Sequence, residues 1–348
     1  MSGRVYLDWN ASAPLRPEAR DAMIRAMDAV GNASSVHGEG RKVKAIMEHA
    51  RTQVAEATGA LAGDVVFTSG ATEGAALALA DQGYVGATIE HDCVAAWIDP
   101  KLAVDTYGQV TVEEPEGTAL QAANSETGII QTLPEGLGFV DAVQAVGKVP
   151  FAFDWSQAER GLVSAHKLGG PKGIGALLLK SGVDVCARIR GGGQESGRRA
   201  GTENIIGIAG FGAACEAAIR DVNDGVWEAV AEIRDLFEDA VTSVADDAVI
   251  VGREGPRLPN TSCVIMSGWK GETQVMQMDL AGFAVSAGSA CSSGKVRTSR
   301  VLETLGYSAT EASSAIRVSI GPDTSREDVL KFSDAWTRHY LRRRQRAA

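Results

Sequence analysis

Short, mostly apolar runs closed by turn-forming residues recur through the first half of the chain, and no other feature narrows the choice of folds as far. Val65-Val66-Phe67-Thr68, Gly86 to Glu90, Ala119 to Ala123, Leu137 to Val140, Phe151 to Asp154, Leu162 to Ser164 and Ile174 to Leu179 are all short enough for strands and read as buried ones. Helical stretches between some of them predict βαβ units, hence a mainly parallel sheet with helices on both faces. Two amphipathic helices precede this region. Pro17 opens the first, with Ala19, Met23, Ala26 and Val30 at helical spacing; Val43, Ile46, Met47, Ala50 and Val54 line the second, which Gly59 stops.

The second half reads differently. Ile205 to Asp221 and Val226 to Val244 predict two long helices. Then come Val249-Ile250-Val251, Thr261 to Met266, a helix near Thr273 to Leu280, a helix over Val296 to Leu305, the run Ala315 to Ile320, and a last helix from Arg326 to Arg344. With 348 residues the chain exceeds what one core sustains. The expectation is an α/β protein with a large domain over 15–240 and a smaller α+β unit built from 1–14 and 241–348.

Composition removes several function classes. The formal charge of −10 argues against a general nucleic-acid binder, and the basic run Arg338 to Arg346 reads as a helix end favoured by the macrodipole. No apolar run approaches the roughly 20 residues of a membrane span, and the N-terminus lacks a signal-peptide pattern, so a cytoplasmic protein is expected. The cysteines Cys93, Cys186, Cys215, Cys263 and Cys291 form no CxxC pair, and the histidines form no HExxH pattern. Free thiols and no metal site are expected.

Candidate chemistry lies in the loops. Ser164-Ala165-His166-Lys167-Leu168-Gly169-Gly170-Pro171 connects two of the buried runs. A lysine among small residues can serve as a reactive amine, because desolvation lowers the ammonium pKa. A surface lysine in a glycine-rich turn fits that segment alone equally well. Ser69-Gly70-Ala71-Thr72-Glu73-Gly74 joins a strand to a helix, and free amides there could cradle a phosphate; a capping Ser or Thr would give the same letters.

Five separated stretches, taken in order, decide between these readings: Thr68 to Glu73, Glu90-His91, Asp141-Ala142-Val143-Gln144, Ser164 to Lys167, and Gly288-Ser289-Ala290-Cys291-Ser292-Ser293-Gly294. Together they resemble the cysteine desulfurases, pyridoxal 5'-phosphate (PLP) enzymes of the class V aminotransferase family, from Tyr6-Leu7-Asp8 to Ile316-Arg317-Val318-Ser319-Ile320-Gly321. The resemblance implies the PLP-dependent transferase fold type I, whose large domain holds a mainly parallel seven-stranded sheet flanked by helices.

It further implies that Lys167 carries the cofactor as a Schiff base and moves the α-proton, that Asp141 keeps the pyridine nitrogen protonated, and that Gln144, one helical turn on, reaches the phenolic oxygen. Ala71, Thr72, Ser164 and His166 would bind the phosphate. Thr202, in the stretch Gly191 to Thr202, would reach the phosphate of a partner subunit, giving a homodimer with sites at the interface. His91 would stack on the ring and shuttle protons, and Arg317 would clamp the substrate carboxylate. Cys291 would take sulfur from L-cysteine as a persulfide, leaving alanine, and pass it to a sulfur-acceptor protein such as an iron–sulfur scaffold or into tRNA thiolation.

Three departures from the family pattern stand out. Asn124-Ser125-Glu126-Thr127-Gly128 replaces the usual Asn-Asn-Glu-x-Gly, so the cofactor contact falls on Ser125 or on Asn124. The segment from His91 to Gly128 is short, and Ala165 stands where many relatives have Gly. Rival readings are a PLP-dependent selenocysteine lyase or an aminotransferase for another amino acid, and an inactive sulfur-assembly scaffold.

Overall fold

The computed structural model describes residues 3–288 and 298–347. Its centre is a five-stranded sheet in the order Val65–Thr68, Gly175–Leu179, Arg160–Ser164, Phe139–Asp141, Ala119–Gln121. The isolated bridge between Val85 and Thr118 extends it to the parallel pair Val85–Ala87 and Asp99–Leu102, so seven strands form one layer. Gly175–Leu179 is antiparallel to both its neighbours, and the remaining pairings are parallel.

Alternating residues of these strands face opposite cores, as the two-residue period of a strand requires. Phe67, Leu120, Val140, Val163 and Leu178 pack towards helices Pro17–Met27, Gly38–Thr58 and Ile205–Asn223. Val66, Ala119, Phe139, Leu162 and Leu177 pack towards helix Ala71–Leu79. Leu162 and Leu177 are fully buried, each contributing about 2 kcal/mol of apolar burial. Gly59 ends Gly38–Thr58 at φ 67°, the left-handed conformation of a helix stop.

Several expectations need correction. Phe151 to Asp154 is not a strand: Phe153–Ser156 forms a single helical turn, closed by Ser156 Oγ donating to the Phe153 carbonyl at 2.7 Å. The run from Leu137 contributes Phe139–Asp141, and that from Gly86 contributes Val85–Ala87 before Glu90 N–H turns back to the Ala87 carbonyl. Of the helix expected over Val296 to Leu305, Arg300–Thr304 is helical, capped by Ser299, and 296–297 lie outside the described residues. Asp99–Leu102, an edge strand carrying Pro100 and Lys101, had no apolar signal to announce it.

A second, antiparallel sheet has the order Ser286–Ala287, Ala315–Ser319, Thr261–Ile265, Val249–Ile250. Its core takes in Trp227, Val230 and Phe237 from helix Val226–Thr242, and Phe332, Trp336 and Tyr340 from helix Arg326–Ala347. Trp336 stacks on Tyr340, with ring centroids 5.8 Å apart, and its Nε1 donates to Gln274 Oε1 at 2.9 Å. Val5–Tyr6 pairs with Phe283–Ala284 of this half. No helix among the described residues is long and apolar enough to cross a membrane.

Candidate active site

The carboxyl ends of the parallel strands open into one cavity of about 510 Å³, the place where an open α/β sheet usually offers a site. Ser69 and Thr72 follow the strand Val65–Thr68, Asp141 ends its strand, and Ser164 ends Arg160–Ser164 with Lys167 three residues on. Of the residues expected in a site, Ala71, Thr72, His91, Ser125, Asp141, Gln144, Ser164, His166 and Lys167 line this cavity.

One end is built for an anion. Gly70, at φ 154°, turns the chain into helix Ala71–Leu79, whose N-terminus has no side-chain cap. Its first amides and dipole face the cavity beside Ser164 and His166. Burial first, then the nearby charges of Lys167 and Lys172, hold the His166 imidazole down to about 4. Glu73 accepts from the Ser69 N–H at 2.8 Å and pairs with Arg199 at 2.8 Å, so the Gly191–Thr202 stretch is tied to this end.

The other end holds a buried carboxylate and an amine. Asp141 Oδ1 accepts the Val143 N–H at 2.9 Å. Burial raises its pKa, while that hydrogen bond and the His91 and Lys167 charges oppose the rise. Lys167 Nζ donates to the carbonyls of Asn10 at 2.6 Å and Ala11 at 3.0 Å. Gln144 Nε2 donates to the same Asn10 carbonyl at 3.1 Å. Residues 143–148 form successive turns rather than the expected helix. His91 Nδ1 accepts the Cys93 N–H at 3.2 Å and lies 3.0 Å from Cys93 Sγ, which also lines the cavity.

Three expected residues lie elsewhere. Asn124 holds its turn together: its Oδ1 accepts the amides of Glu126 and Thr127, both at 2.9 Å, and its Nδ2 donates to the Ile89 carbonyl. Its neighbour Ser125 faces the cavity instead. Thr202 lines an adjoining pocket together with Ser69 and Gly173. Arg317 is buried behind Ser125, donating to its carbonyl at 3.1 Å and to Asp8 at 2.8 Å. Cys291 lies outside the described residues.

Two buried residues at the site carried no signal as sequence. Asn10 accepts from Gln144 and Lys167 through its carbonyl and from Lys148 and Asn260 through Oδ1, and it donates to Ser125 and Thr261. It thereby joins the two halves. Lys148 is only 3% exposed. Their letters would fit a turn and a solvated lysine; only their partners mark them.

The aminotransferase class-V family profile matches residues 5–96 and 99–332. The chain belongs to that family. Its similarity to individual members spans most of both sequences. A cysteine desulfurase of Cereibacter sphaeroides is 38% identical, covering 94% of this chain and 93% of the relative. The cysteine desulfurase IscS of Dictyoglomus turgidum is 34% identical, covering 94% and 92%. Among solved structures, a NifS-like protein superposes with TM-score 0.87 at 29% identity over 97% of this chain and 99% of that one. The NifS-like protein of Rickettsia africae gives 0.88 at 28% identity, with the same coverage. The fold is accordingly that of the fold type I PLP enzymes, and the cofactor is pyridoxal 5'-phosphate.

The cavity fits that group. An uncapped helix N-terminus beside Ser164 suits a phosphate, the buried Asp141 carboxylate suits a protonated ring nitrogen, and Lys167 supplies an amine lining the same cavity. Bound there, the cofactor supplies an electron sink for a substrate amino acid.

Proposed function

We propose that the chain is a cysteine desulfurase that takes sulfur from L-cysteine, releases alanine and carries the sulfur as a persulfide on Cys291. The observation that supports this most is the gathering of Lys167, His91, Asp141 and the Ala71–Leu79 helix N-terminus around one cavity, in a chain similar to several cysteine desulfurases.

In this reading the amides of Ala71 and Thr72, with Ser164 and His166, hold the phosphate, and Asp141 holds the ring nitrogen. Gln144 donates to the phenolic oxygen, and Ser125 takes the place of the family's asparagine. Lys167 removes the proton at the substrate's α-carbon. His91, whose Nδ1 accepts the Cys93 N–H, moves the thiol proton as a general acid–base. Arg317, bonded to Asp8 and the Ser125 carbonyl, exchanges the latter for the substrate carboxylate. The thiolate of Cys291 attacks the substrate sulfur: the new S–S bond forms as the substrate's C–S bond breaks.

The proposed assembly is a cytoplasmic homodimer in which Thr202 reaches the partner's phosphate, with an acceptor protein such as an iron–sulfur scaffold removing the sulfur. We propose two units as expected, but with the larger ending at Gly225, because Trp227, Val230 and Phe237 pack in the second core. The test is direct. Protein reconstituted with pyridoxal phosphate should release alanine from L-cysteine and carry a persulfide, and Cys291→Ala should abolish the persulfide. Unchanged persulfide yield in that variant, or alanine release from selenocysteine alone, would reject the proposal.

A further inference from the structure

A lysine with no room for solvent lies directly behind Gln144. Lys148 is 3% exposed, and its Nζ donates to Gln144 Oε1 at 2.5 Å and to Asn10 Oδ1 at 3.1 Å. Burying an ammonium is costly unless every proton finds an acceptor, and both partners here are carbonyl oxygens. Burial, with the charges of Lys167 and Arg317, pushes the Lys148 pKa well below that of an ordinary lysine. Either protonation state nonetheless has hydrogens enough to donate to both oxygens.

The consequence falls on Gln144. An amide can turn over, exchanging its oxygen and its NH2 at little steric cost, so something must fix which end faces the cavity. With Oε1 held by Lys148, the NH2 end is turned towards the Asn10 carbonyl, the same carbonyl that Lys167 Nζ approaches to 2.6 Å. Without Lys148, Oε1 loses this buried donor and the weaker hold of the Nε2 bond to Asn10 is left to keep the amide from turning its oxygen to the cofactor.

We propose that Lys148 is a positioning residue: it locks the Gln144 amide so that an N–H donor, not an oxygen, is presented to the cofactor's phenolic oxygen. This rests on the reading above that Gln144 serves that oxygen. The bound cofactor's visible absorbance reports it, because a donor on the phenolic oxygen lowers the pH at which the band titrates.

The experiment is a double-mutant cycle on the reconstituted enzyme, following the pH midpoint of that band, with melting temperatures as a check on folding. Lys148→Met and Gln144→Leu should each raise the midpoint by about one pH unit, the order of a single hydrogen bond to a charged oxygen. The double variant should rise no further than either alone. Lys148→Gln, whose amide can still donate to Oε1, should keep the midpoint nearer to that of the parent. Lys148→Leu is read in the same way should Lys148→Met not fold. An unchanged midpoint in a folded Lys148→Met that forms the band, or additive shifts in the double variant, would overturn the inference alone. A parent protein that forms no visible band would overturn the cofactor reading and this inference with it.

Discussion

Replacing Arg51 by Met should destabilise the protein by about 3 kcal/mol, a net of three effects. The guanidinium donates to both oxygens of Glu195 at 2.8 Å, with the two side chains 9% and 2% exposed. Glu195 Oε2 also accepts the Phe67 N–H at 2.9 Å, and the Arg51 Cζ lies 4.7 Å from the Phe67 ring centroid. Burial alone would lower the Arg51 pKa, but the hydrogen bond and charge of Glu195, helped by Glu48, hold it above its ordinary value. Removing one partner of such a buried pair costs about 3–5 kcal/mol, and the lost cation–π contact adds about 1 kcal/mol. Against this, Glu195 and Ser196 are held at φ 47° and 58°, and releasing that strain returns about 2 kcal/mol in all. Urea unfolding of the parent and the variant measures the difference. Arg51→Met combined with Glu195→Gln should recover most of the loss, since the neutral amide keeps an acceptor for the Phe67 N–H without leaving a buried charge unpaired. A single variant within about 0.5 kcal/mol of the parent, or a double variant no better than the single, would refute the reasoning.

The remaining predictions concern pH and the cofactor. Glu126, which accepts from Ser299 Oγ at 2.5 Å, is raised to about 7, chiefly by burial. The folded state therefore binds a proton that the unfolded chain releases near 4.5, so stability should fall as pH rises from about 4.5 through 7, by on the order of 3 kcal/mol. Glu126→Gln should flatten that slope in urea midpoints taken at several pH values. His166 is held neutral down to about 4, against 6.5 when unperturbed, so the unfolded chain takes up its proton first. Stability should fall as pH drops from 6.5 towards 4, and His166→Asn should remove that part of the acid loss. Gly70→Ala meets open space at its Cβ but an unfavourable φ of 154°. It should weaken pyridoxal-phosphate binding by about tenfold, the order of one such strained residue, measured by absorbance titration of the apoprotein.

The large sheet was legible because its strands are nearly all apolar, and both faces of Phe139 to Asp141 or Leu162 to Ser164 are indeed covered. Asp99–Leu102 escaped because an edge strand needs only backbone partners, and Asp-Pro-Lys-Leu is well suited to an edge. Phe151 to Asp154 misled in the opposite direction: its apolar letters pack a helical turn, Phe153 lying buried against Gly161. Residues in small-residue loops at strand ends that line the cavity were legible from the letters. Lys148 and Asn10 were not, because what defines them is each other, 138 positions apart. Which of Asn124 and Ser125 lines the cavity was likewise closed to the sequence. It depends on a side-chain oxygen accepting the two amides that follow it, a local geometry that two adjacent polar letters leave open.

The hub at Asn10 has a consequence for synthesis on the ribosome. Its N–H donates to Ser319 Oγ across 309 positions, and Asp8 bridges to Ser319 as well. A nascent chain can complete the strands that carry Lys167 long before residue 319 exists, yet Asn10, whose carbonyl Lys167 and Gln144 share, lacks its bonds to Asn260, Thr261 and Ser319 until then. The final anchoring of this part of the site is thus a late event, complete only after residue 319 has emerged.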